Sequence, residues 1–197
     1  MPDRLADPAL DQLFRTARTR NGWKPEAVAE ALIREIYDLT KLGPTSSNCC
    51  PGRFLFLTSA EAKARLAPLM SSGNRAKTLA APVNVILAYD LNFAEKLPFL
   101  APHNPNAASW FTSSPALAQE TAFRNGSLQG AYLMLAARAL GLDCGPMSGF
   151  KVDELNKEFF AGTSWTANFV CNIGYGSDEN LFPRNPRLAF EDACRIL

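Results

Sequence analysis

Apolar residues at Leu10, Leu13, Phe14 and Ala17 recur at helical spacing. A second set, Val28, Ala31, Leu32, Ile36 and Leu39, puts one apolar face on a helix whose first residue is Pro25. That helix stops near Gly43-Pro44, where proline cannot continue the ladder and disfavours helical geometry in the residue before it. After a polar loop, Thr45 to Gly52, the run Phe54-Leu55-Phe56-Leu57 is short and apolar enough for a buried strand. Thr58 with Glu61 then reads as a capping box for a short helix through Leu66 and Leu69.

The β-branched run Val83 to Tyr89, bounded by Pro82 and Asp90, predicts a second strand. A Pro- and Asn-rich excursion over about 91–115 follows and is expected to form a lid or helical insertion. From Pro115 to Leu140 a long helix is predicted, with Leu128, Tyr132, Leu135 and Ala139 as its apolar stripe. Gly126 and Gly130 sit one turn apart inside it, which suggests either tolerance near a kink or close approach by another helix or a ligand. Asp153 to Phe160 reads as a helix and Asn168 to Tyr175 as a strand. Few strands among long helices give an α+β or α/β layered domain spanning the 197 residues.

Composition narrows the function classes. With 47% hydrophobic and 20% charged residues the chain is globular, and a net charge of +1 argues against a surface built to coat nucleic acid. The longest uncharged stretch, Leu97 to Gln119, holds four prolines and is not a membrane helix. The N-terminal twenty residues lack the apolar core of a signal peptide. Five cysteines without a C-x-x-C spacing fit a reducing cytoplasm. Cys49-Cys50 is read as inert packing, since only Arg53 stands near enough in sequence to lower a thiol pKa. His103 is the only histidine and lies between prolines in a loop, so no histidine-rich metal site is expected. No G-x-x-x-x-G-K-[ST] phosphate loop occurs, and Gly174-Tyr175-Gly176 lacks the rest of a dinucleotide fingerprint.

What remains is a recurring local character: small polar residues or glycine at element boundaries, with a cation nearby. Arg18-Thr19-Arg20, Pro44-Thr45-Ser46-Ser47-Asn48, Gly73-Asn74-Arg75-Ala76-Lys77 and Gly145-Pro146-Met147-Ser148-Gly149 share it, and Arg184 and Arg187 make a fifth site. Singly each is a cap, a turn or a solvated charge. Together they suit a phosphorylated heteroaromatic ligand: guanidinium forks match phosphate oxygens, and Asn, Ser and backbone N–H groups read a ring edge carrying donors and acceptors. Asn74 and Lys77 share a helical face.

This ordered set resembles the FMN-dependent nitroreductase family over nearly the whole chain. Residues 18 to 20 resemble its basic phosphate-binding segment, Pro44 to Asn48 its flavin loop, Asn74 with Lys77 its flavin-contacting pair, Gly141 to Phe150 the segment beside the reactive edge of the flavin, and Arg187 with Arg184 its C-terminal basic residues. The likeness is nearer to the branch that reduces malonic semialdehyde to 3-hydroxypropionate in uracil breakdown. It departs from the wider family at Cys50-Pro51-Gly52 and Ser148-Gly149.

The resemblance implies an α+β fold with a mainly antiparallel central sheet surrounded by helices, and a homodimer with FMN at the interface. It implies NADH or NADPH as reductant. Arg18, Thr19, Arg20, Thr45, Ser46, Ser47, Asn48, Asn74, Lys77, Pro146, Met147, Ser148, Gly149, Arg184 and Arg187 would bind the cofactor, Gly149 would serve the reaction through its backbone N–H, and Lys77 would offset the charge of reduced flavin. Arg124 is the candidate for a substrate carboxylate, with Trp110 and Phe111 as lid walls; otherwise Arg124 pairs along its helix and the aromatics pack in the core. Alternatives are a broad NAD(P)H-dependent nitro or quinone reductase, and a non-catalytic flavin-binding or sensing protein.

Overall fold

The computed structural model describes residues 3–197. The chain opens with α1 (Asp7–Leu10), which runs on into a π-turn over Asp11–Arg15, and a short strand β1 (Gly22–Trp23). The helix predicted from Pro25 begins later, as α2 (Glu30–Thr40). Residues 24–29 lead in without helix, and Val28 is nonetheless buried. The buried face of α2 is Ile36 and Thr40 with Leu32 and Ile33 beside them, while Ala31 and Leu39 face out. Strand β2 (Gly52–Leu57) and helix α3 (Ala60–Leu66) follow. The cap of α3 is Ser59, whose hydroxyl accepts from the Ala62 N–H at 3.1 Å, and not Thr58.

Next come α4 (Ser72–Ala80), β3 (Val83–Asp90), α5 (Leu97–Leu100), α6 (Ala107–Thr112), α7 (Pro115–Ala139), β4 (Asp143–Met147) and α8 (Val152–Phe159). Strands β5 (Trp165–Gly174) and β6 (Gly176–Ser177) and helix α9 (Phe190–Ala193) complete it. The 91–115 excursion is thus a set of short helices, which packs as its own apolar cluster around Phe93, Leu97 and Phe111.

The main sheet has the order β2-β3-β5-β4 and is antiparallel throughout. Strand β3 is buried along its whole length because both faces are covered. Val83, Val85 and Leu87 point into the layer with α2 and α7, while Ile86 and Ala88 point into the layer with Leu66 of α3 and Leu155 of α8. The fold is therefore α+β with helices on both sides of the sheet. Strand β4 carries Pro146, which its edge position tolerates.

Helix α7 buries a different face from the apolar stripe. Leu128 and Tyr132 are exposed, and the face toward the sheet is Ala122, Gly126, Gly130, Leu133 and Ala137, with Thr121, Asn125 and Gln129 also buried. A Cβ on Gly130 would stand 2.6 Å from the Phe169 ring, and one on Gly126 would stand 3.1 Å from Tyr89 Cβ. The two glycines let α7 lie close on the sheet; the partner they approach is neither a helix nor a ligand.

Candidate functional site

The Arg18–Arg20 segment is laid along the outer edge of β4. Thr19 pairs in parallel with Cys144, and the Arg20 N–H donates to the Cys144 carbonyl at 3.0 Å. This edge pairing exposes Thr19 and leaves the two arginines half-buried. The C-terminal segment returns across it. Arg18 donates to the Phe182 carbonyl, Arg184 donates to the carbonyls of Arg15 and Ala17 at 2.8 Å each, and Asn21 donates to the Asn180 carbonyl at 3.3 Å. Between the two segments lies a cavity of about 430 Å³ lined by Arg18, Thr19, Arg138, Phe182, Arg184 and Arg187. Four of the predicted phosphate residues are thus brought to one cavity, where guanidiniums outnumber carboxylates.

Arg20 is placed differently. Its guanidinium lies between Asp143 at 3.4 Å and Asp178 at 2.5 Å and donates to the Ser177 carbonyl at 3.2 Å. Burial disfavours its charge, but Asp178 and Asp143 outweigh that and push its pKa up. Two carboxylates already neutralise this side chain. Arg20 ties the start of the tail to β4 and is not among the residues lining the arginine cavity.

A second cavity of about 430 Å³ shares Asn21 and Phe182 with the first and is lined by Gly73, Ala76 and Lys77 of α4. Lys77 donates to Asn21 Oδ1 at 3.2 Å, and burial pulls its pKa below the usual lysine value. An anionic group arriving here would offset the cost that burial places on its charge. One turn earlier, Asn74 donates to the Gly149 carbonyl at 3.0 Å, and the Ser71 N–H donates to the same oxygen at 2.9 Å. Gly149 is the centre of a three-residue turn closed by the Phe150 N–H on the Ser148 carbonyl at 3.2 Å. A Cβ there would meet Asn74 Nδ2 at 2.9 Å and Ser71 Oγ at 3.0 Å. Glycine is what lets α4 and this turn meet.

A pair of fully buried amides that pattern reading did not single out sets the height of α4. Asn84 of β3 donates to Asn172 Oδ1 at 2.7 Å and to the Thr78 carbonyl at 3.0 Å, and Asn172 of β5 donates to the Lys77 carbonyl at 3.1 Å. A lone polar position within an apolar strand is the signal that would have found them, since a buried amide needs a partner.

The predicted flavin loop lies elsewhere in the chain's own fold. The Ser46 N–H donates to Asn125 Oδ1 at 2.8 Å, and Asn48 donates to the Leu100 carbonyl at 2.7 Å. Ser46, Ser47 and Asn48 are exposed and Thr45 is half-buried; none of the four lines either cavity just described. Beside them Cys49 is buried, and burial pushes its thiol up to about 11, so it is protonated at neutral pH. Pro146 and Met147 belong to β4, with Met147 in the core and Ser148 exposed.

The substrate candidates do not gather at the cavities. Arg124 pairs with Glu120 one turn earlier on the exposed side of α7. Phe111 is buried with its ring 4.8 Å from that of Phe93, which makes it part of the excursion's core, while Trp110 is half-exposed. His103 is exposed. Among the described residues no helix is long and apolar enough to cross a membrane.

The fold is thus an antiparallel sheet between helix layers, with a basic cavity at one edge and a partly buried lysine next to it. Residues 15–175 match the model of the Nitroreductase family, and the chain belongs to that family. A provisionally named NADH dehydrogenase/NAD(P)H nitroreductase of Stenotrophomonas maltophilia is 58% identical over 196 residues, covering 100% of both chains. Among solved structures, a provisionally assigned nitroreductase of Bacillus subtilis superposes with a TM-score of 0.87 at 16% identity, covering 96% of this chain and 99% of the other. One from Exiguobacterium sibiricum, solved in complex with FMN, gives 0.85 at 20% identity over 100% of both. These two likenesses concern the fold.

Proposed function

We propose that the chain is an FMN-dependent NAD(P)H oxidoreductase whose acceptor is a small 3-oxo acid, malonic semialdehyde, reduced to 3-hydroxypropionate. The observation that carries the flavin reading is the placement of Lys77. It is partly desolvated, lines the cavity next to the arginine-lined one, and stands one helical turn from the Asn74 that fixes Gly149. Bound FMN would supply hydride acceptance from the nicotinamide and hydride donation to the acceptor.

The chain's own residues supply placement and charge. Arg18, Thr19, Arg184 and Arg187 would hold the phosphate in the first cavity, exchanging bonds to neutral carbonyls for bonds to anionic oxygens. Lys77 holds a positive charge where the ring's negative charge develops. The Gly149 carbonyl is pinned by two donors, and its turn does not use the Gly149 N–H, which is kept for the ring edge. The Thr45–Asn48 loop contacts α7 and Leu100 in its own chain, so a site that needs it together with the cavities is completed by a second copy. The exposed Leu117, Phe123, Leu128 and Tyr132 of α7 support a homodimer. Light scattering tests this: a monomer that still held FMN would contradict the shared site.

The name of the Stenotrophomonas relative favours a second reading, a broad NAD(P)H nitro or quinone reductase. Turnover with NADH and NADPH against malonic semialdehyde, nitrofurazone and a quinone separates the two. The first reading expects the highest kcat/KM for the aldehyde acid.

A further inference from the structure

The Thr45–Gly52 loop enters the left-handed region at three non-glycine residues, with φ of 51° at Ser47, 52° at Asn48 and 40° at Cys50. Side chains stay there only where neighbours over-determine the backbone. Helix α7 holds the entrance through Asn125 on the Ser46 N–H, and Gln129 Oε1 accepts from the Gly52 N–H at 2.7 Å. The exit has a second fastener. Arg53 Nη1 donates to the Cys50 carbonyl at 3.0 Å and to the Gly52 carbonyl at 2.9 Å, while its Nη2 donates to Asp90 Oδ2 at 2.7 Å. Asp90 is 7% exposed and is itself held by the Ser164 hydroxyl at 2.5 Å and the Asn92 N–H at 2.9 Å.

We propose that Arg53, aimed by Asp90, is a positioning residue that holds this loop in its left-handed form and thereby sets how tightly flavin binds. One planar guanidinium spans the Cys50 carbonyl, the Gly52 carbonyl and the Asp90 carboxylate at once. A lysine presents a single point of charge, which can keep the pairing with Asp90 but not the fork. The hold on the loop stands by itself; its effect on flavin rests on the function proposed above.

The test uses full-length Arg53→Lys and Arg53→Met and the parent, each with the exposed Cys194 replaced by Ser, so that Cys50, half-buried in the single chain, is the most accessible thiol left, and labelling is compared at matched oligomeric state. Three quantities are read: the labelling rate of Cys50 by a thiol reagent without flavin, the FMN dissociation constant from flavin fluorescence, and Tm. Both variants are expected to speed Cys50 labelling and to weaken FMN about tenfold, the 1.4 kcal/mol scale of one strained residue released. Arg53→Lys should keep a Tm near the parent's. If Arg53→Lys matches the parent in labelling rate, the clamp is overturned and Arg53 is an ion pair only. Faster labelling with an unchanged FMN constant overturns the link to flavin. If the parent itself takes up no FMN, the proposed function fails while labelling still decides the clamp. Should Arg53→Met not fold, the lysine variant decides alone.

Discussion

Around Arg18, Arg184 and Arg187 the polar contacts run from exposed or half-exposed side chains to neutral backbone carbonyls, several of them on the returning tail. Around Thr45–Gly52 they run from buried Asn125, Gln129 and the Arg53–Asp90 pair to a strained backbone. The first region can exchange its acceptors for anion oxygens at little cost, since solvent reaches most of the groups involved. The second cannot yield without leaving the part-buried N–H groups of Ser46 and Gly52 without their amide partners. One region can exchange its partners, and the other holds a shape.

The largest expected effect falls on the rigid side. Gln129→Leu leaves the Gly52 N–H without its acceptor, and calorimetry should show a loss of about 1–3 kcal/mol together with weakened FMN. An unchanged Tm would mean that the loop is not over-determined. On the receptive side Arg18→Ala should weaken FMN by roughly one to two powers of ten, with Tm shifted little, because a charge-assisted bond is worth about 1.5–3 kcal/mol. A large fall in Tm there would erase the contrast.

Lys77→Met sharpens the comparison with opposite signs in one residue. Burial lowers the folded-state pKa of Lys77, so the unfolded chain binds the extra proton between that value and the ordinary lysine value. Its presence therefore costs stability at neutral pH, and stability recovers as pH rises through that window. The methionine variant should be slightly more stable without flavin, by less than about 1 kcal/mol given the residue's partial exposure, and should bind FMN more weakly. Lower stability without flavin would contradict the desolvation argument. The smallest effect is expected at Arg124→Ala. Its exposed pair with Glu120 is worth about 0.3–0.5 kcal/mol, and only a rise in KM confined to the carboxylated aldehyde would give it a substrate role.

Local patterns revealed β2, β3, β5 and the long helix because β3 is apolar but for Asn84 as far as Tyr89 and α7 has no proline after Pro115. They misplaced the buried face of α7, since Leu117, Phe123, Leu128 and Tyr132 face outward while, apart from Leu133, small residues and amides face the sheet and the loop. Close packing selects small residues, and an amide buried to serve another segment's backbone has no signature in its own helix. Strand β4 was legible only as a motif, because Gly145-Pro146 hides an edge strand. The sequence order of the basic residues anticipates that Arg18, Arg184 and Arg187 line one cavity, yet Arg20 serves two carboxylates, Asp143 and Asp178, which lie more than a hundred residues away. No spacing rule reaches that far. The Asn84–Asn172 pair that seats α4 was missed for the same reason.

The most direct test mixes the purified protein anaerobically with NADH and, separately, NADPH, follows the visible flavin band, and then adds malonic semialdehyde. The account predicts a yellow protein that bleaches with at least one nucleotide and regains its colour in proportion to the aldehyde added. A colourless protein that gains no colour when FMN is supplied would contradict it.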